Sequence, residues 1–383
     1  MSSITQLAVS GYRSLRQLTL PLSPLTVVGG ANGCGKSNLY RCLGLITAAA
    51  RGDLVATLAA EGGLAAAMWA GPERSPQGQG QPLQGGGRRE PARLRLGFSG
   101  PLLSYAVELG FRADDQESAF VLDPEIKREW IWAGGPFHPR SLLIRRIGGV
   151  VERCGGSGQP LAMDIAPHES VLTAVSDPLE APEVVRLRRL ILSWRFYDNI
   201  RTDRQAPARL SSIATRTLSV ANDGSDLAAA VQTIVEIGDR EGLHVAIDDA
   251  FPGCRLEIDT REPVFRLRLK QPGLLRPLDA AELSDGTLRY LLLLTALFSP
   301  RLPPLVVLNE PETSLHPDLL APLARLITAA SERTQLWLVV HSEALMTQLS
   351  RAPECKVVQL EKQKGATTVP SQSVLERAAW RWP

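Results

Sequence analysis

The chain has 383 residues, 44% of them hydrophobic and 21% charged, which fits one large globular domain or two ordinary ones and excludes a disordered polymer. Its formal net charge of +2 gives no global argument for nucleic acid, though a local basic patch is compatible with it. No apolar run reaches the about 18 residues of a membrane span, the start Met-Ser-Ser-Ile-Thr-Gln lacks the pattern of a signal peptide, and five scattered cysteines (34, 42, 154, 254, 355) suggest no zinc and point to reduced thiols. A cytoplasmic protein with no membrane partner is expected.

In chain order, three short strands are predicted first, at Ile4–Val9, Leu15–Leu20 and Leu25–Val28, separated by turn signals at Gly11 and Pro24. The third runs into GANGCGKS, residues 30–37, which fits G-x-x-x-x-G-K-[ST] at every fixed position. Glycines between a strand and a helix let the backbone wrap around phosphates, whose charge the helix start then faces. Here Gly30, Asn32, Gly33, Gly35, Lys36, Ser37 and Asn38 are the candidate nucleotide-binding residues. Lys36 would reach the β- and γ-phosphates, and Ser37 would ligate Mg²⁺. Helices are predicted at 37–50 and 53–69. Residues 71–91, rich in Gly, Gln, Pro and Arg, read as a mobile surface loop. Strands follow at Arg93–Phe98, Leu103–Phe111 and Trp130–Trp132, helices at Glu183–Tyr197 and Asp226–Arg240, and a strand pair at Cys254–Ile258 and Val264–Leu269.

The second half of the site comes late. Leu305–Leu308 is a buried-strand run ending in Asn309-Glu310-Pro311-Glu312, a Walker B-like segment that delivers acids at the end of a strand. Glu310 is the candidate general base, and Asn309 stands where a magnesium-supporting Asp is usual, so weaker metal support is expected. About 20 residues earlier, Leu283-Ser-Asp-Gly-Thr287 opens a helix, and Ser284 and Gly286 offer a second phosphate-facing surface or, alternatively, an ordinary helix cap. Gln335–Val340 is another buried strand, ending at His341-Ser342, and His341 is a candidate γ-phosphate sensor. A last strand is predicted near Val357–Leu360.

The order GANGCGKS, LSDGT, LVVLNEPETSLHP and a strand ending in His-Ser resembles the ABC-type ATPase heads of the RecF, SMC and OLD group, the AAA-type core proteins with the wording NEPETSLHP. Gly11-Tyr-Arg-Ser14 resembles the N-terminal segment of that group, which implies that Arg13 approaches the nucleotide. The resemblance implies an α/β fold, an ABC-type P-loop NTPase head with a mixed-sheet lobe I (1–165 and 300–383) and an inserted helical lobe II (166–299). It also implies that Ser314–Pro317 is the D-loop and that LSDGT completes the site of an opposing subunit. Two departures stand out, Asn309 for the common Asp and Asp285 for a Gly of the signature. The roughly 250 residues between P-loop and signature hold no heptads, so no coiled-coil arm is expected.

Arg186, Arg188, Arg189, Arg195, Arg201, Arg204, Arg209 and Arg216 fall close together, with Trp194, Phe196 and Tyr197 among them. Arginines with aromatics suit phosphate contacts and base stacking, but the same residues suit a core with surface ion pairs. The expected function is an Mg²⁺-dependent ATPase that homodimerises on ATP, acting in DNA repair or in genome defence such as anti-phage defence. The alternatives are a regulatory ATPase gating a partner effector protein without nucleic acid, and a nucleotide-binding module with little turnover.

Overall fold

Two hydrophobic patterns run through the strands, and they sort into two kinds of sheet. The continuous runs Leu25–Val28, Leu305–Leu308 and Gln335–Val339 are buried along their whole length, as strands covered on both faces must be. They form a parallel sheet. The structure, a computed structural model, describes residues 4–71, 93–112, 120, 122–155, 160–198, 200–260, 263–370 and 380–383. The predicted loop at 71–91 lies outside these, apart from Gly71. The chain packs as two bodies, one made of residues 23–29 and 194–358, the other of residues 2–22, 30–193 and 359–383.

In the first body the parallel strands lie in the order Arg195–Tyr197, Leu305–Asn309, Gln335–Val339 and Leu25–Gly30. The helix Asp285–Phe298 is buried on nearly every side, with Leu288, Leu291, Leu293, Leu294 and Leu297 at 0% exposure, so the most apolar run of the sequence is core and not a membrane segment. Each such leucine contributes about 1.5–3 kcal/mol by leaving water. Helix Leu320–Ser331 joins the same core. The predicted strand pair forms at Arg255–Asp259 and Val264–Lys270, antiparallel, with helices Leu227–Ile237 and Arg240–Ala250 packed around it.

The second body holds an eight-stranded antiparallel sheet, in the order Leu15–Pro21, Gln6–Tyr12, Leu94–Ser99, Leu103–Phe111, Pro124–Ala133, Leu142–Ile147, Val150–Arg153 and Pro160–Ala162. The P-loop helix Lys36–Arg51 and helix Pro182–Leu192 belong to it, as does the hairpin that Glu361–Gln363 makes with Ala366–Thr368.

Three expectations are corrected. The helix predicted through Tyr197 stops at Leu192, and Arg195–Tyr197 pairs in parallel with Val306–Leu308, because a buried sheet edge overrides the local helical pattern. The helix predicted over 53–69 is cut by Gly62 and Gly63, both at positive φ (95° and 84°). The helix predicted to reach Arg240 ends at Ile237, and Asp239 caps a new one by accepting from the Gly242 N–H at 2.8 Å. No helix among the described residues is long and apolar enough to cross a membrane.

Candidate nucleotide-binding site

Three strand ends fall on one row of the parallel sheet. Asn309 pairs with Val339, and Val339 pairs with Val28. One residue or two further on, these strands become the Asn309–Glu312 turn, the Val340-His341 corner and the glycine-rich loop. Parallel α/β sheets bind ligands at this carboxyl edge.

The glycine-rich loop is shaped by close approach. A Cβ on Gly30 would stand 2.4 Å from the Leu360 carbonyl oxygen, and one on Gly35 would stand 2.2 Å from the Thr367 hydroxyl and 2.7 Å from that of Ser14. Both residues also have positive φ, as does Gly33, which sits exposed with Asn32 at the loop tip. The hydroxyls that crowd Gly35 hold the loop. Thr367 Oγ1 donates to the Cys34 carbonyl at 2.7 Å and lies 2.7 Å from Ser14 Oγ, and Asn38 Nδ2 donates to Ser14 Oγ at 2.8 Å. The C-terminal hairpin and the N-terminal Arg13-Ser14 turn therefore brace the loop together.

Helix Lys36–Arg51 starts bare. Gly35 provides no side-chain cap and the first turn has no acid, so the positive dipole end of the helix faces an anion with no side chain competing for it. Ser37 is exposed there. Lys36 is buried at 4% exposure, and its ammonium donates to the Gly30 carbonyl and to that of Ala31 at 3.3 Å, folded onto the loop that a phosphate would occupy. Arg13 is committed elsewhere. Its Nη2 donates to Glu61 at 2.9 Å, and Tyr12 donates to the same carboxylate at 2.7 Å.

At the Asn309–Glu312 turn the chemistry is exposed and the backbone strained. Glu310 has φ 51°, a left-handed conformation that costs a residue with a Cβ about 1–2 kcal/mol. Its N–H donates to the Val339 carbonyl at 2.8 Å, and its carbonyl accepts from Arg289 Nη2 at 2.8 Å. The carboxylate stays open to solvent, 2.9 Å from His341 Nε2. The two sequence-predicted residues Glu310 and His341 are thus partners. Glu312 Oε1 accepts from the N–H groups of His341 and Ser342, and so fixes the corner that presents His341.

Three polar atoms here are buried with no partner among the described residues: Asn309 Oδ1, Glu312 Oε2 and Arg289 Nε. Two are hard oxygen acceptors at the strand ends. Oxygen donors suit Mg²⁺, which binds through one or two protein oxygens plus phosphate and water, so the donor set fits that ion. Among the described residues no group of three or more His, Cys, Asp or Glu side chains is arranged to hold a metal by itself.

The signature turn is an exposed helix start. Ser284 caps helix Asp285–Phe298 by accepting from the Thr287 N–H at 3.1 Å. A Cβ on Gly286 would stand 2.6 Å from the Ser314 carbonyl, so the signature helix rests against the loop that follows Glu310. Arg209 holds the turn from below, donating to the carbonyls of Thr202 (2.9 Å) and Leu283 (2.7 Å) and to Asp285 (2.6 Å). Asp285, in place of the usual glycine, has become the anchor for an arginine.

The same contact bears on the arginines of the basic-surface expectation. Arg209 is structural, Arg201 pairs with Asp203 and Arg216 with Glu236, and Arg188 donates to the Ala50 carbonyl at 3.0 Å. Trp194, Phe196 and Tyr197 are 3%, 9% and 4% exposed, so none offers a face for base stacking. Arg186, Arg189 and Arg204 are exposed.

Sequence reasoning missed Arg289, Glu312 as an organiser of the corner, and Thr367. Arg289 left a signal, a lone charge beyond the first turn of a leucine-rich helix. Thr367 left none, being 333 residues from the Cys34 carbonyl it holds.

The family model described as "AAA domain, putative AbiEii toxin, Type IV TA system" matches residues 25–347. No curated protein matches the sequence. Among solved structures, the chain is similar to the SmcHead bound to the C-winged helix domain of ScpA, at TM-score 0.54 and 15% identity, over 98% of this chain and 99% of that one. It is also similar to an Smc head domain with an extended coiled coil, bound to the C-terminal domain of ScpA and derived from Pyrococcus furiosus, at TM-score 0.51 and 14% identity, over 98% of each chain. These likenesses establish the fold, an α/β head of the ABC-type P-loop class. The chain belongs to this AAA-domain family, and its fold is that of SMC head domains.

Proposed function

We propose that the protein binds ATP with Mg²⁺, hydrolyses it, and homodimerises on the ATP-bound form as a switch. The observation that carries this reading is the shared register of Val28, Asn309 and Val339, which starts the P-loop, the acidic turn and the His341 corner from one sheet edge. Gly30, Asn32, Gly33, Gly35 and Asn38 shape the phosphate loop. Lys36 leaves its carbonyl partners for the β- and γ-phosphates. Ser37 and the orphaned oxygen of Asn309 serve Mg²⁺, which supplies charge neutralisation at the phosphates. Glu310 takes the proton of the attacking water, and His341 holds its carboxylate and senses the γ-phosphate. Arg13 exchanges Glu61 for the nucleotide. Lobe I comprises 1–165 and 300–383, and lobe II comprises 166–299; these boundaries follow motifs, whereas the two bodies follow packing. Ser284, exposed at its helix start, and the half-buried Gly286 complete the site of an opposing subunit.

The biological setting is DNA repair or genome defence in the cytoplasm, and the toxin–antitoxin wording of the family description turns it towards defence. The paired arginines and buried aromatics of 186–216 favour the second reading, a regulatory ATPase that gates a partner effector protein without touching nucleic acid. ATP turnover measured across protein concentration, with and without DNA, tests both. Specific activity should rise through the dimerisation range. Salt-dependent stimulation by DNA would restore the nucleic-acid reading, and concentration-independent activity of a monomer would remove the switch.

A further inference from the structure

Both peptide groups that flank Glu310 are pinned. Val339 accepts from the N–H at 2.8 Å, and Arg289 donates to the carbonyl at 2.8 Å. Arg289 is the one charged side chain of helix Asp285–Phe298 beyond its first turn, and it is 7% exposed. Its other bond goes to the Ile200 carbonyl at 3.4 Å, and its Nε has no partner among the described residues. A leucine-rich helix would accept a leucine there, so the buried guanidinium is kept at a desolvation cost. Burial draws its pKa down, against the nearby charges of Glu312 and Glu310.

What the guanidinium grips matters more than its charge. It holds the carbonyl of Glu310, which also accepts from the Thr313 N–H at 3.1 Å, and leaves the carboxylate to His341 and the Thr313 hydroxyl. It therefore fixes the aim of the carboxylate through the backbone, at the residue whose φ of 51° most needs a restraint. Arg289 also sits five residues after Ser284 on the same helix, about 7.5 Å along its axis. The same helix start touches the loop after Glu310 through Gly286 and Ser314.

We infer that Arg289 is a positioning residue, which holds the left-handed backbone of Glu310 and links the Ser284 end of its helix, where a second subunit would engage, to the general base of its own chain. This rests on the proposed role of Glu310. If it is right, Arg289 acts on turnover only through Glu310.

A double-mutant cycle tests it on the full-length protein. Arg289→Ala and Arg289→Lys are each made in the parent and in Glu310→Gln, and kcat at saturating ATP, the ATP Kd and the melting temperature are measured. In the parent background Arg289→Ala should lower kcat about 10- to 100-fold, the scale of a misplaced catalytic group, with the ATP Kd within about twofold. On top of Glu310→Gln it should cost less than about twofold, since acting through one group makes effects non-additive. Arg289→Lys, which keeps length and charge, should give a smaller loss with the same non-additivity, and it carries the cycle if the alanine variant does not fold. An equal fold-loss in both backgrounds, or a weaker Kd with unchanged kcat, overturns the inference in an active parent. A parent that turns over no ATP, or a Glu310→Gln variant as active as the parent, overturns the assignment of Glu310 and the inference with it.

Discussion

Each body of the molecule holds a glutamate–arginine cluster, one fully buried and one half-open to solvent, and the two are built to opposite rules. In the antiparallel sheet, Glu129 and Arg146 are both fully buried and fully engaged. Glu129 accepts from Tyr105 and Ser170 at 2.6 Å, from the Val171 N–H at 2.8 Å and from Arg146 at 2.9 Å. Arg146 spends its remaining donors on the carbonyls of Gly148, Ala166 and Glu169. Burial pushes the Tyr105 phenol well up, and the Glu129 charge adds to it, so its proton stays in the network. At the parallel-sheet edge, Arg289, Asn309 and Glu312 each keep a buried atom without a partner among the described residues, and Glu310 sits in a strained backbone. A closed network of this kind locks a fold, whereas an open one holds capacity for something the chain does not contain. The difference separates a structural ion pair from a site by geometry, without reference to any relative.

The comparison breaks most visibly by removing one partner from each cluster. Glu129→Ala should destabilise the protein by about 3–5 kcal/mol, because it leaves Arg146 buried and uncompensated, and denaturant unfolding reads this directly. Glu310→Gln should leave the unfolding midpoint unchanged yet cut ATP turnover about 10²-fold, about 2.7 kcal/mol of barrier, with ATP still bound. If the two variants lost stability equally, the distinction between closed and open clusters would fail. The smallest effect belongs to the brace. Thr367→Val keeps the side-chain shape but removes the bond to the Cys34 carbonyl, worth about 1 kcal/mol, so ATP affinity should fall about fivefold. Thr367→Ser should keep the parent value in the same equilibrium titration.

Much of this was legible in the sequence, for a physical reason. The P-loop, the acidic turn and LSDGT are local: strand, turn and helix start are contiguous, and each needs residue types that local sterics and charge demand. The parallel strands were legible because burial on both faces leaves continuous apolar runs such as Leu305–Leu308. What was not legible depends on distant partners. Arg195–Tyr197 reads as the end of a helix until Val306–Leu308 is beside it. Trp194 and Phe196 read either as stacking platforms or as core until their burial is seen. Thr367 has no local signature at all, because its role is set by a loop at the other end of the chain.

The central claim is that the glycine-rich loop serves a nucleoside triphosphate. Equilibrium titration of ATP and Mg²⁺ against the parent and Lys36→Ala tests it most directly. Loss of a charge-assisted contact worth about 1.5–3 kcal/mol predicts an affinity at least about tenfold weaker in the variant. Equal affinity in the two proteins, or no binding to the parent, would contradict the account.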